Sequence, residues 1–227
     1  MNIRTPLIVS MLAIGAMLAV AGWGWTAIPT HAQMAVHWGI DGRPNGYMPR
    51  TIGLLMLPCV NVFLSALFAI LPRIEPRRAN LQSSRKLYLA GWYGTLGLGV
   101  VTQTLMVLNA AGAHIDVVRS VLFALAILFI VLGNYMGKSR SNFFVGLRLP
   151  WTLSSELAWN TGNRLAGFGL VATGFATLFA LVFVGTIFVV VVVSLIGVTL
   201  SFIGGGVVSY VYWKCDANRG NGDSIHE

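Results

Sequence analysis

Long apolar runs, broken by short polar connections, set the pattern of this chain. Residues 7–28, 52–71, 87–111 and 118–136 are four such runs, and residues 165–213 continue without one charged side chain. A bilayer hydrocarbon core about 30 Å thick takes roughly 20 apolar residues per helical span, so the first four runs are one span each and the last is a helical hairpin. Two corners suit its turn, Gly185-Thr186 and residues 194–197. The valine run at residues 189–193 would favour strand in water. In hydrocarbon an isolated strand leaves its backbone unpaired, so helix wins.

The connections carry the polar information. Trp23 and Trp25 sit at the end of the first run, as interface aromatics do, and Pro29 closes it. Residues 29–50 hold His31, His37, Asp41, Arg43 and the turn pairs Asp41-Gly42 and Asn45-Gly46, which predicts a loop. Pro58 interrupts the second run, and a membrane helix tolerates that when neighbours satisfy the freed carbonyl. Gly91, Gly94, Gly97 and Gly99 in the third run predict close approach of a neighbouring helix. The first run, with Arg4 before it and Ala32 after it, has some features of a signal peptide, but it is longer than the usual 7 to 15 residues of a signal core and reads as a span.

Charge sets the orientation. With both termini inside, Arg4, Arg73, Arg77, Arg78, Arg85, Lys86, Lys138, Arg140, Arg148, Arg164, Lys214 and Arg219 all face the cytoplasm, and only Arg43, Arg50 and Arg119 lie outside. Lys and Arg in short loops decide topology, so the expected fold is an all-α integral membrane protein of about six transmembrane helices with cytoplasmic termini. Charged residues make up 10% of the chain and apolar ones 56%, too few charges to coat a soluble globule. The net charge of +8 follows from these loops rather than from a nucleic-acid-binding face. Cys59 and Cys215 are too few for a disulfide framework or a four-thiolate metal site and read as passive.

Candidate chemistry is confined to the two membrane surfaces. On the outside, His31, His37 and Asp41 are ligand types for a metal, but their spacing is irregular and solvated turn residues are the simpler reading, so no metal or cofactor is expected. His114 and Asp116 read the same way. On the inside, residues 133–167 are dense in polar and aromatic groups. Leu149-Pro150 stops the preceding segment, Thr152 is placed as an N-cap, and Ser154, Ser155 and Glu156 suit a first helical turn. Glu156, Asn160, Asn163 and Arg164 fall at helical spacing, with Trp151 and Trp159 as anchors, which predicts an amphipathic helix on the inner leaflet before the fifth span. It either anchors the bundle or offers a docking surface, since Phe143, Phe144, Trp151 and Trp159 beside Arg148 and Arg164 have an interface composition. No carboxylate pair, nucleophile with a nearby histidine or phosphate-binding glycine loop is present, so no enzyme is expected. The span interiors hold no ionisable Asp, Glu, Lys, Arg or His, which lowers a transporter reading.

The inner segment resembles the signature of the SdpI family of bacterial membrane immunity proteins. The resemblance lies in Gly133-Asn134-Tyr135, in the block from Asn142 to Gly146, in that from Arg148 to Ser154, in Trp159 and in Arg164 to Gly167. His37-Trp38-Gly39, Gly42, Pro44 and Gly46 are similar to an N-terminal domain of unknown function that often precedes it. Leu157, Ala158 and Gly162 depart from the pattern, where relatives carry charge. The resemblance divides the chain into residues 1–72, with two spans and the outer loop, and residues 73–227, with four spans and a cytoplasmic tail. It implies protection of a bacterial cell against a secreted peptide toxin, and a signal relayed by holding a transcriptional repressor at the membrane. Candidate docking residues are then Asn142, Phe143, Gly146, Arg148, Pro150, Trp151, Thr152, Ser154, Glu156, Trp159 and Arg164, with His37, Trp38, Gly42 and Pro44 in the outer loop. The expected partners are membrane lipid, the toxin and the repressor, with no direct contact to nucleic acid. A small-molecule or lipid transporter and a structural envelope protein are the alternatives.

Overall fold

The computed structural model describes residues 1–219; the end of the expected cytoplasmic tail lies outside them. Six helices are long: α1 (Arg4–Ala27), α2 (Arg50–Ile74), α4 (Arg85–Ala110), α5 (Val117–Met136), α7 (Glu156–Phe183) and α8 (Ile187–Cys215). Two are short, α3 (Arg78–Ser83) and α6 (Pro150–Leu153). All the long ones except α4 are both long and apolar enough to cross a membrane. With 26 residues, α4 reaches about 39 Å at 1.5 Å per residue, and its glycines, threonines and Gln103 lower its hydropathy without shortening it. It packs between α1, α2 and α5. The chain is an all-α, multi-pass membrane protein.

The connections gather at two ends. One end holds the N-terminus, α3, residues 137–155 and Asp216, tied together by hydrogen bonds and apolar contacts, and we call it the basic end. The other holds residues 29–49 and the turn between α7 and α8. That turn takes the earlier of the two expected corners, between Phe183 and Ile187. Arg119 donates to Leu181 O at 2.8 Å and Gly185 O at 3.2 Å, covering carbonyls that the end of α7 leaves free.

The expected outer loop is instead an antiparallel hairpin of β1 (Gln33–Trp38) and β2 (Pro44–Pro49). Asp41-Gly42 does make the turn, with Gly42 at φ +80°. Asn45-Gly46 lies within β2, where the register shifts opposite His37. A two-stranded hairpin is marginal alone in water. Here Met34, fully buried, plugs it into Ala21, Ile28, Leu54, Met106 and Val107, and Arg50 donates to Ile28 O at 2.7 Å beneath it.

The glycines of α4 divide in two. A Cβ on Gly94 would strike Leu128 of α5, and one on Gly99 would strike Met17 and Asn61 of α1 and α2, as close helix approach requires. Gly91 and Gly97 face open space.

Both prolines inside α2 are answered from α4. Pro58 cannot donate to Leu54 O, and Gln103 Nε2 donates to that carbonyl at 2.9 Å; Pro72 leaves Phe68 O free, and the Tyr88 hydroxyl donates to it. Gln103 is fully buried. Gln103→Leu is therefore expected to destabilise the protein by about 1 kcal/mol, since hydrogen bonds between membrane helices average near that size. Pro58→Ala restores the backbone bond and should erase most of the loss. Unfolding midpoints of the two single variants and the double variant in detergent give the cycle.

Candidate functional site

Residues 137–155 contain little helix yet include buried Ser139, Ser141, Asn142, Leu147 and Thr152, so their buried backbone groups need partners. Side chains from distant helices supply them. Glu75, 1% exposed at the end of α2, accepts from its own loop at Arg77 N (2.9 Å) and from Phe143 N (3.1 Å). Arg77 donates to Ser141 Oγ and to Leu153 O at 3.0 Å, with its guanidinium carbon 5.3 Å from the Phe143 ring centroid. Ser84 accepts from Arg140 N at 2.8 Å, and Asn80 donates to Ser141 O at 2.8 Å.

From the other side α7 closes the clamp. Trp159, fully buried, donates its indole N–H to Ser139 O at 3.0 Å. Asn163 Oδ1 accepts from Leu147 N at 2.6 Å. Between them Gly146 lies at φ +104°, and a Cβ there would sit 2.6 Å from Asn163 Oδ1 and 3.0 Å from the Trp159 ring. Asn142, also buried, caps the turn by accepting from Phe144 N and Val145 N. Thr152 accepts from Leu149 N and donates back to Leu147 O.

The C-terminal end of α8 is tied in as well. Trp151 donates to Ser209 Oγ at 2.9 Å, Trp213 donates to Ser154 Oγ at 3.1 Å, and the Ser155 hydroxyl donates to Asp216. The Ser155 bond and a second from Asn218 N hold the Asp216 carboxyl below the usual carboxylate range.

This geometry replaces the expected inner-leaflet helix. α7 runs unbroken from Glu156, capped by Ser155 rather than Thr152, because Trp159 and Asn163 on its first turns point inward to hold residues 139 and 147. The expected polar stripe is split: Glu156 and Arg164 are exposed, Asn160 is half-buried and Asn163 is buried. Among the candidate docking residues, Asn142, Thr152 and Trp159 are internal scaffold. Trp151, Ser154 and Gly146 are half-buried, and Phe143, Arg148, Pro150, Glu156 and Arg164 face outward. Phe143 and Arg148 stand together, with Arg148 Nη1 donating to Phe143 O at 2.8 Å. Sequence reasoning did not reach Glu75, Ser84, Ser139 and Ser141. Only Glu75 left a signal, as the one acid in the most basic connection.

At the hairpin end His37 pairs with Asn45 Oδ1 at 2.5 Å, and Asp41 Oδ1 accepts from Arg43 N. Among the described residues no three His, Cys, Asp or Glu side chains gather as a metal site, so His31, His37 and Asp41 do not converge. Trp38 and Pro44 face each other across the strands, and Gly42 rests against Ile187.

The clamp begins where a known family begins. Residues 138–208 match the SdpI/YfhL protein family, and residues 12–62 match a domain of unknown function, DUF1648. The chain is similar to the SdpI/YfhL family over that region. It is also 25% identical over 182 residues to "Immunity protein SdpI" of Bacillus subtilis (strain 168), covering 80% of this chain and 84% of the relative. No solved structure is significantly similar. With five helices long and apolar enough to span, it is a multi-pass protein of the cell membrane. The SdpI/YfhL match spans the clamp, α6, α7 and most of α8, while the DUF1648 match takes in the hairpin with most of α1 and the first half of α2.

Proposed function

We propose that this chain is a membrane immunity protein that protects the cell from a secreted peptide toxin. The observation that carries the reading is the likeness to Immunity protein SdpI along 80% of the chain. In this reading the basic end is cytoplasmic, in keeping with the Lys and Arg bias of its connections. The hairpin end meets the peptide. A crevice of about 750 Å³ between α4 and α5, open toward lipid and floored by Gly94 and Gly97, gives an apolar peptide a place against the bundle.

The finer part of the proposal is a relay. Phe143, Arg148, Pro150 and Glu156 form the exposed rim of a segment whose backbone is held on both sides, so a soluble repressor would meet a preformed surface. Cells lacking the chain are expected to become sensitive to a peptide made by the same or neighbouring strains, and expression of the chain to restore survival. Unchanged sensitivity to all such peptides overturns the immunity reading. Arg148→Ala with Phe143→Ala should leave survival intact while a reporter of the repressor no longer responds to toxin, and a reporter that still responds removes the relay.

A further inference from the structure

We propose that the cleft between the basic ends of α5 and α7 holds the headgroup of an anionic phospholipid. The cleft encloses about 410 Å³ and is lined by Asn134, Lys138, Arg164, Phe168 and Val171 over the close Gly133 and Gly167 crossing. Two cations and an amide converge there with no carboxylate among the lining residues. Lys138 Nζ donates to Asn134 Oδ1 at 3.3 Å, and the Arg164 guanidinium lies 5.7 Å from the Phe168 ring centroid. Among the described residues neither cation forms an ion pair with a carboxylate.

Depth sharpens the point. Arg164 is the ninth residue of α7, about 12 Å along the helix from its start, where an unpaired charge is costly. The protein brings no carboxylate to it, which leaves the place open to an anion from the surroundings. A lipid phosphate is the anion that membrane depth supplies, and basic pockets between spans on the cytoplasmic side take such headgroups. Beyond the cations, Phe168 and Val171 continue the cleft as an apolar wall for the first part of an acyl chain. Two positive charges favour an anionic lipid over a zwitterionic one, whose own ammonium would add a third. Arg164 is thereby assigned to lipid rather than to a soluble partner.

The test is retention of added lipid by the full-length protein purified in detergent, read by native mass spectrometry. With about 1 kcal/mol per basic residue near the surface, phosphatidylglycerol is expected to be retained about tenfold or more over phosphatidylcholine. Lys138→Gln with Arg164→Gln should remove that preference, while Lys214→Gln, whose ammonium lies over Tyr210 on α8, should keep it. Equal retention of the two lipids by the wild type overturns the proposal. So does an unchanged preference in the double variant. Should that variant not fold, Val171→Trp, which fills the apolar wall, is expected to displace phosphatidylglycerol, and full retention by it would count against the site.

Discussion

Gly146→Ala is expected to lower the stability of the protein by on the order of 3 kcal/mol and, on the proposed function, to abolish protection against a peptide toxin. Two effects act at the same atom. At φ +104° an L side chain is strained, at a cost of about 1 to 3 kcal/mol. The added Cβ would also fall 2.6 Å from Asn163 Oδ1, which must then release Leu147 N inside the membrane surface. An orphaned buried N–H costs about 1 to 3 kcal/mol more. The Trp159 ring, 3.0 Å from the same Cβ, would have to shift as well. Tryptophan-fluorescence unfolding in detergent measures the loss. Gly97→Ala is the control: it has the same chemistry in a helix with nothing within 4 Å of the new atom, and should change stability by no more than about 0.5 kcal/mol. Equal behaviour of the two variants would show that the clamp does not depend on the backbone at residue 146.

Glu75→Ala is expected to have the second large effect, about 3 kcal/mol or more. The side chain is buried and bridges two connections that are far apart in sequence, accepting from Arg77 N and Phe143 N. Its loss leaves both N–H groups without that acceptor, and each orphaned buried N–H costs about 1 to 3 kcal/mol. Glu75→Gln keeps one acceptor oxygen and should fall between wild type and alanine. Trypsin gives an independent readout. Cleavage after Arg140 or Arg148 should become fast in Glu75→Ala and stay slow in Glu75→Gln. If Glu75→Ala unfolds and resists trypsin as the wild type does, the carboxylate is not what ties the segment down.

The two substitutions have little in common in sequence. Gly146 lies in a conspicuous block, while Glu75 is a lone acid among basic neighbours. What unites them is that each holds the backbone of residues 137–155, and that was not legible. Trp159 illustrates the difficulty. At the start of an apolar run it reads as an interface aromatic, yet it is fully buried because Ser139 O needs a donor from across the bundle. Gln103 shows the opposite case. Pro58 announced a freed carbonyl in α2, and the sequence held one long amide donor in α4, although only the packing of the two helices put them together.

By itself the sequence determined the membrane class, the long helices and the uneven distribution of basic connections between the two ends. Those properties belong to each segment alone, because a run of about 20 apolar residues needs no partner to prefer hydrocarbon and to satisfy its own backbone as helix. The tertiary structure decided everything that depends on pairs: the hairpin seated by Met34, the corner at residues 184–186, the prolines answered from α4, and the segment gripped by Glu75, Ser84, Trp159 and Asn163. A hydrogen bond in low dielectric is specified jointly by donor and acceptor, and in the clamp the two lie as far as 76 residues apart, beyond the reach of any local pattern.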